Sequence, residues 1–264
     1  MSRHKPNSAI LQHLNQTGDY MTQIKPDKHE FNRIMLKLSG EALGGKGGTG
    51  LDHPTIKRVT GEIADVVKSG KRIAIVMGAG NYVRGRDVIA YGMDNVTAHQ
   101  MGMIATIINA LALRDVLNRS GIEAVAMSAI PVGSVIEPFS AQTGRKYLDE
   151  GIVVLCAGGT GNPFFTTDTA AILRAIELQC DVMFKATMVD GVYDKDPALH
   201  PDAKRFDSLT YDEVIERKLK VMDLTAVTLA AEKKIPIVVI DLWTPGTMKK
   251  VSSGEINHGT LISD

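Results

Sequence analysis

Short apolar segments that alternate with helical segments constrain the fold of this chain more than any other feature of its sequence. Six stretches are rich in β-branched residues and apolar on successive positions, as strands buried on both faces of a parallel sheet are. They span residues 32–38, 72–77, 124–128, 152–157, 181–187 and 235–241. This alternation predicts an α/β fold, a three-layer α/β/α sandwich around a mainly parallel sheet, with ligands bound beyond the carboxyl ends of the strands.

Two segments between these strands have the spacing and end signals of helices. Residues 54–70 place apolar side chains on one face, with Pro54 in the first turn and Gly70 as the stop. Residues 95–120 predict a longer helix that ends at Gly121 and carries a broad apolar face. That face suits either the core or a contact between subunits.

The composition predicts one soluble cytoplasmic domain. Of 264 residues, 44% are hydrophobic, enough for a sizeable core over residues 31–264, whereas residues 1–30 are a polar extension. Thirty basic residues balance thirty acidic ones, which gives no reason to expect binding to nucleic acid or membranes.

Cys156 and Cys180 lie in apolar surroundings, which favours reduced thiols and a cytoplasmic location. No signal peptide is evident, and no apolar run approaches the eighteen residues of a membrane span.

Residues 40–47 read GEALGGKG and resemble a P-loop, but the resemblance fails a physical test. Gly47 stands where a P-loop has Ser or Thr. In a P-loop the lysine begins a helix whose amide groups hold the phosphates. Here Lys46 is followed by Gly-Gly-Thr-Gly, which cannot sustain a helix. The sequence therefore argues against a P-loop enzyme.

Lys37 is the stronger candidate for a phosphate contact. It lies between Leu36 and Leu38 near the end of an apolar strand, just before Ser39 and Gly40. Burying a lysine without an anionic partner costs roughly several kcal/mol, so this position favours a phosphate partner. The alternative is a lysine on a solvent-facing edge of the sheet.

The second strand also ends in a glycine-rich turn, GAGN at residues 78–81. Paired glycines let backbone amides approach a ligand closely, and the guanidinium of Arg84, which follows in the sequence, could bind a phosphate through two parallel hydrogen bonds. A plain strand-to-helix turn has the same pattern, so this signal alone is weak.

The fourth strand is followed by the richest segment, AGGTGNPFFTTDTAA. Thr166, Thr167 and Asp168 are candidate N-caps of the next helix, whose start would suit a phosphate. For Asp168 alone, capping is the better interpretation, and Phe164 and Phe165 would then be core residues. The fifth strand carries Lys185.

Together these features indicate phosphoryl transfer. Two strand-end lysines, one acid at a helix start and glycine loops supply the positioning and charge neutralisation that this chemistry needs. The seven histidines are scattered, so the sequence predicts no protein metal site. A phosphotransferase outside the P-loop class fits.

The motifs closely resemble those of bacterial UMP kinases, members of the amino acid kinase superfamily. The matching segments are KLSGEAL (37–43), GAGNYVRG (78–85), MGM (101–103), TGNPFFTTDTAA (160–171), KATMVDGVYDKDP (185–197) and KVMDLTA (220–226). The resemblance implies transfer from ATP to UMP with Mg²⁺, giving ADP and UDP in pyrimidine nucleotide synthesis. It also implies a cytoplasmic homohexamer activated by GTP and inhibited by UTP.

The resemblance further assigns residues to roles. Lys37 and Lys185 would stabilise the transferring phosphoryl, and Asp168 would orient them. The residues implied to contact ATP are Lys37, Leu38, Ser39, Gly40, Gly80, Arg84, Thr187, Tyr193 and Asp196. Those implied to hold UMP are Ala79, His99, Thr160, Gly161, Asn162, Pro163, Phe164, Phe165, Thr166 and Thr167. The GTP-responsive segment would comprise Gly45, Lys46, Gly47, Gly48, Thr49 and Gly50.

Two positions depart from the family pattern. Ala79 replaces the middle of three glycines, and its methyl group would press on the UMP phosphate. His99 stands where members carry an acid that accepts hydrogen bonds from the ribose hydroxyls; a neutral histidine accepts only one. The role of Asp223, also an acid in the family, stays open, with a helix N-cap as the simplest interpretation.

Two alternatives to a UMP kinase remain. The same chemistry could serve another acceptor, such as a different nucleotide or an acylphosphate-forming substrate. The superfamily also contains non-catalytic storage and ligand-binding members. Loss of the strand-end lysines would indicate such a member.

Overall fold

The computed structural model describes residues 30–83 and 92–264, so Arg84 and residues 1–29 of the polar extension lie outside the described residues. Within these ranges nine strands form one sheet. They are β1 (Arg33–Leu38), β2 (Arg72–Met77), β3 (Ala124–Ser128), β4 (Glu137–Pro138), β5 (Val153–Ala157), β6 (Val182–Thr187), β7 (Ser208–Leu209), β8 (Ile237–Asp241) and β9 (Gly259–Ile262). All six expected strands are present, each within two residues of its expected bounds.

The strand order is β4-β3-β5-β2-β1-β6-β8-β9-β7. Every pairing is parallel except that of β8 with β9, which is antiparallel. The prediction of a mainly parallel sheet is therefore confirmed. Because β1 lies in the middle, between β2 and β6, the loops that follow these three strands gather at one edge of the sheet.

Helices cover both faces of the sheet. They are α1 (Gly40–Leu43), α2 (His53–Lys68), α3 (Asn95–Arg119), α4 (Ala141–Asp149), α5 (Thr167–Glu177), α6 (Tyr211–Glu216), α7 (Leu224–Lys233) and α8 (Thr247–Ser252). Apolar side chains of α1, α2, α3 and α8 pack into one core cluster with the strands, and those of α4 to α7 pack into the other. The two clusters on opposite sides of one sheet make the expected three-layer sandwich.

Side chains of β1 alternate between these two clusters. Ile34, Leu36 and Leu38 belong to the cluster that includes α2 and α3, whereas Met35 belongs to the cluster that includes α5 and α7. Burial on both faces explains why the strand is apolar at successive positions. Lys37 is the exception, and it lies near the carboxyl end of the strand.

Helix α3 is the most apolar of the long helices in the described residues. Its 25 residues have a stretch of mean hydropathy 1.4, long and apolar enough by length and composition to cross a membrane. Eight of its residues are nevertheless buried in the fold, among them Ala110, Leu113 and Leu117. The helix packs against α2, β3 and β5, so one of its faces belongs to the core.

Candidate functional site

Lys37 and Lys185 are direct neighbours across the sheet, because β1 and β6 pair in the register that sets one lysine opposite the other. Asp168 lies between their ammonium groups. Its Oδ1 is 2.8 Å from Lys37 Nζ and its Oδ2 is 2.6 Å from Lys185 Nζ. The three residues expected to carry the chemistry thus form one cluster, a Lys-Asp-Lys bridge.

The bridge is largely withdrawn from water. The side chains of Lys37, Asp168 and Lys185 are 12%, 13% and 14% exposed, which excludes a solvent-facing Lys37. Burial opposes ionisation of Asp168, but the charges of the two lysines outweigh it and hold the pKa of the carboxyl below its ordinary value. Burial lowers the pKa of Lys185, with Lys37 acting in the same direction and Asp168 against it. A second, anionic partner such as a phosphate would relieve the crowding of two positive charges.

The start of α5 places Asp168 in the bridge. Thr166, not Asp168, is the N-cap, and its hydroxyl oxygen accepts hydrogen bonds from the backbone N–H groups of Asp168 and Thr169 at 3.1 and 3.2 Å. The interpretation of Asp168 as a capping residue is therefore wrong. Since the cap is supplied by the preceding threonine, the carboxylate is free to turn towards the lysines.

A cavity of about 340 Å³ opens beside this helix start. Its lining combines the loop after β2, the first turns of α3 and the loop after β5, and includes Ala79, His99, Gly102, Met103, Thr106, Gly159, Asn162, Phe165, Thr166 and Thr167. Six residues expected at the UMP site therefore share one cavity. The other four, Thr160, Gly161, Pro163 and Phe164, belong to the same loop but do not line it.

Phe164 and Phe165 lie at the surface, which corrects the interpretation of both as core residues. They are 64% and 48% exposed. Phe164 has a positive φ of 71°, unusual for a residue with a side chain, and its ring lies 5.0 Å from that of His99. The two rings therefore meet beside the cavity.

A second cavity, of about 680 Å³, adjoins the bridge. It contains Lys185 itself and three of the residues expected to contact ATP, namely Thr187, Tyr193 and Asp196. The segment 217–221, which leads from α6 towards α7, forms another of its walls. The bridge therefore adjoins two cavities, through Lys185 in one and through Thr166 and Thr167, next to Asp168, in the other. Transfer of a group between two ligands requires both to lie close to the same set of charges.

The sequence profile of the amino acid kinase family matches residues 32–241. The chain belongs to the amino acid kinase family. A uridylate kinase of Vibrio cholerae serotype O1 is 48% identical over 237 residues, covering 90% of this chain and 97% of the relative. The crystal structure of UMP kinase from Bacillus anthracis matches with a TM-score of 0.86 at 36% identity, covering 89% and 97% of the two chains. The crystal structure of UMP kinase from Ureaplasma parvum matches with a TM-score of 0.83 at 34% identity, covering 88% of this chain and 99% of that one. The resemblance seen in the motifs is confirmed.

Two glycines let the loops of this amino acid kinase approach each other closely. A Cβ atom on Gly40 would lie 2.6 Å from the backbone O of Gly78 and the backbone N of Gly80. A Cβ atom on Gly80 would lie 2.8 Å from a side-chain carbon of Glu41. The loops after β1 and β2 therefore pack backbone to backbone next to the bridge. Leu38, expected at the ATP site, is fully buried in the core, so only its backbone could meet a ligand.

The segment of residues 45–50 is separate from the bridge, as expected once the P-loop was rejected. Residues Gly45–Gly47 form a single 3₁₀ turn, and α2 begins only at His53. Lys46 lines a third cavity of about 280 Å³ together with Ser39, Met188 and Trp243. Lys46 therefore does not lie at the start of an α-helix, as the lysine of a P-loop does, and it is not part of the Lys-Asp-Lys bridge.

Two buried asparagines hold the loops together and were missed by sequence reasoning. The side chains of Asn81 and Asn109 exchange two hydrogen bonds of 2.9 Å, and Asn109 also donates to the backbone O of Gly78 at 2.8 Å. Asn81 donates to the backbone O of Gly50 at 2.6 Å. Thr106, one turn earlier in α3, accepts from the N–H of Gly158 at 2.8 Å. Helix α3 thus anchors the glycine loops after β2 and β5 directly, and Asn81 links Gly50 to them.

Within the described residues no group of three or more His, Cys, Asp or Glu side chains is arranged to hold a metal ion. Both oxygens of Asp168, the acid nearest the chemistry, already face lysines. Such a donor set fits a Mg²⁺ ion that arrives on the phosphates of a nucleotide and keeps several of its waters.

Proposed function

We propose that this amino acid kinase is a UMP kinase that transfers the γ-phosphoryl group of ATP to UMP, giving ADP and UDP. The observation that carries the proposal is the Lys-Asp-Lys bridge, which adjoins two cavities: Lys185 lines one, and Thr166 and Thr167, which precede Asp168, line the other. The names of the relatives support the same acceptor. ATP would occupy the cavity of Thr187, Tyr193 and Asp196, and UMP the cavity of His99 and Thr167.

The lysines would act by charge rather than by covalent chemistry. In phosphoryl transfer the oxygens of the moving group carry negative charge, and catalysis consists mainly of positioning and electrostatic stabilisation. Lys37 and Lys185 would meet that charge from the sheet, and Asp168, which pairs with both ammonium groups, would orient them. The amides of Ser39, Gly40 and Gly80, close to this point, would hold the ATP phosphates, together with Arg84 from outside the described residues.

Mg²⁺ bound to ATP would neutralise charge on the β- and γ-phosphates, the chemistry it supplies in kinases generally. The segment of residues 45–50, next to the loop of Ser39, would respond to GTP, and UTP would inhibit. No residue of the bridge is needed as a metal ligand in this account.

The first prediction concerns acceptor recognition at His99. We expect His99→Asp to tighten UMP binding, because a carboxylate accepts hydrogen bonds from both ribose hydroxyls where neutral imidazole accepts one. Isothermal titration of UMP in the absence of ATP measures the effect. Gln100→Asp, a neighbouring exposed position outside the cavity, is the matched control. Unchanged or weaker affinity in the His99 variant would argue against a ribose contact.

The second prediction concerns pH. The protonated form of Lys185 is the one that stabilises negative charge, and burial lowers its pKa. We therefore expect kcat to fall on the alkaline side at a pH below the ordinary lysine pKa of about 10.4. A profile of kcat against pH at saturating ATP and UMP, with folding followed by circular dichroism, gives the answer. Constant kcat up to that pH would mean that Lys185 does not act as a cation.

A panel of nucleoside monophosphates tests the proposed function. With ATP and Mg²⁺ present, we expect UMP to give a nucleoside diphosphate faster than CMP, dUMP, AMP or GMP, and carbamate to give no ADP. Turnover of another acceptor in place of UMP would favour the alternative phosphotransferase. Binding of nucleotides without any turnover would favour a non-catalytic member, although both strand-end lysines are present.

We also infer a single catalytic domain over residues 31–264, a cytoplasmic location and a homohexamer in pyrimidine nucleotide synthesis. Support for self-association comes from apolar residues that α3 leaves exposed, namely Val96, Met101, Ile104 and Ile108. Sedimentation of the purified protein and of Ile104→Glu tests this: the variant should dissociate into smaller species.

A further inference from the structure

The carboxylate of Asp223 accepts more hydrogen bonds than a helix cap requires. It is the N-cap of α7 and accepts from the backbone N–H of Ala226 at 3.1 Å, as the sequence suggested. The Thr169 hydroxyl lies 3.0 and 3.2 Å from its two oxygens, and the Thr166 hydroxyl donates to one of them. One carboxylate thus connects the first turn of α7 with the first turn of α5.

Thr166 relays this contact to the bridge. Because its hydroxyl hydrogen is donated to Asp223, its oxygen lone pairs face the N–H groups of Asp168 and Thr169. The same side chain lines the 340 Å³ cavity proposed to hold UMP. The orientation of Thr166 therefore affects both the acceptor cavity and the backbone that carries Asp168.

A second contact joins the same segment to Lys185. The ammonium group of Lys185 donates a hydrogen bond to the backbone O of Val221, two residues before Asp223. The segment 221–223 consequently holds both Lys185 and the start of α5, from the side of the sheet that α7 covers.

We propose that Asp223 is a positioning residue for phosphoryl transfer, which fixes Asp168 between the lysines and Thr166 at the acceptor cavity. This inference rests on the proposed kinase function. Asp223 need not touch either nucleotide, because it acts through Thr166, Thr169 and the segment that binds Lys185.

The charge of Asp223 distinguishes a positioning role from helix capping alone, because that charge also acts on the pKa of Lys185. The charged groups facing Lys185 are Asp168 from α5, Lys37 from β1 and Asp223 from the turn before α7, and the two acids raise its pKa. Without the charge of Asp223, the pKa of Lys185 should fall further. The alkaline limb of the kcat profile should then move to lower pH.

The decisive variant is Asp223→Asn, which keeps a good N-cap but leaves one acceptor oxygen where the native residue uses two. We expect kcat to fall about tenfold or more, with the KM for ATP nearly unchanged and the alkaline limb displaced to lower pH. The matched control is Asp94→Asn, since Asp94 caps α3 and also accepts from a threonine, Thr97. It should lose stability to a similar extent and keep its kcat and its pH profile.

A double-mutant cycle with Thr169→Val separates positioning from folding. Thr169 lines neither of the two proposed substrate cavities, so Thr169→Val should lower kcat only through Asp223. The fold loss of kcat in the double variant should then be smaller than the product of the fold losses in the two single variants. If Asp223→Asn does not fold, a lowered kcat in Thr169→Val alone still supports the proposal, and a native kcat there overturns it. Equal kcat and pH profiles for Asp223→Asn and Asp94→Asn would also overturn it. A wild-type protein without turnover would instead refute the proposed function.

Discussion

Replacement of Lys37 by alanine is expected to lower kcat by about 10²-fold or more while the fold persists. Lys37 contributes one of the two positive charges of the Lys-Asp-Lys bridge. Within the described residues, Asp168 is the one acid with which Lys37 forms an ion pair. Because Asp168 keeps its second partner, Lys185, the variant is not left with an unpaired buried carboxylate. The loss should therefore appear in catalysis rather than in stability.

Steady-state kinetics with ATP and UMP, together with thermal unfolding, checks this expectation. Lys57→Ala is the matched control, because Lys57 is an exposed lysine on α2 outside all the described cavities. It should retain native turnover. Near-native kcat in the Lys37 variant would refute its assignment to the transferring phosphoryl.

Replacement of Asp168 by asparagine is expected to damage both catalysis and stability. The two lysines that it bridges are neighbours in the sheet, so removal of the carboxylate leaves two largely buried positive charges side by side without the acid that pairs with both. Breaking a buried ion pair in this way costs about 3–5 kcal/mol. The pKa of Asp168 is lowered on folding, so its stabilising contribution is present above its unfolded pKa and is lost as the pH falls through the folded one. The variant should consequently show a smaller loss of stability in acid.

Urea unfolding at neutral and acidic pH, alongside kcat, measures both effects. Asp115→Asn is the control, because Asp115 is a half-exposed acid in a surface ion pair with Arg119 on α3. Such pairs contribute about 0–1 kcal/mol, so this variant should remain close to native. A fully stable and active Asp168 variant would show that the bridge is dispensable.

The layers of the fold were predictable because strands buried on both faces must be apolar at successive positions. The six expected strands lie in the sheet, and α2 and α3 lie where the periodicity placed them. Short elements were not predicted. Strands β4 and β7 have two residues each, too few for a periodic signal, and the antiparallel direction of β9 depends on long-range pairing with β8.

Parts of the site were predictable from the sequence where a residue type is unusual for the segment in which it lies. A lysine in an apolar strand indicated Lys37, and the glycines after Lys46 excluded a P-loop. The role of Asp168 could not be assigned from local sequence alone, because a helix start makes any acid a candidate cap and only the structure shows Thr166 in that place. Asn81, Asn109 and the contacts of Asp223 depend on segments distant in sequence, so nothing local marks them.

The most direct test follows the γ-phosphate of ATP. With labelled γ-phosphate, Mg²⁺ and UMP, the account predicts that the label appears in the β-phosphate of UDP, and that Lys37→Ala combined with Lys185→Ala abolishes the transfer. Label released as inorganic phosphate, label that stays on ATP, or undiminished transfer by the double variant would contradict it.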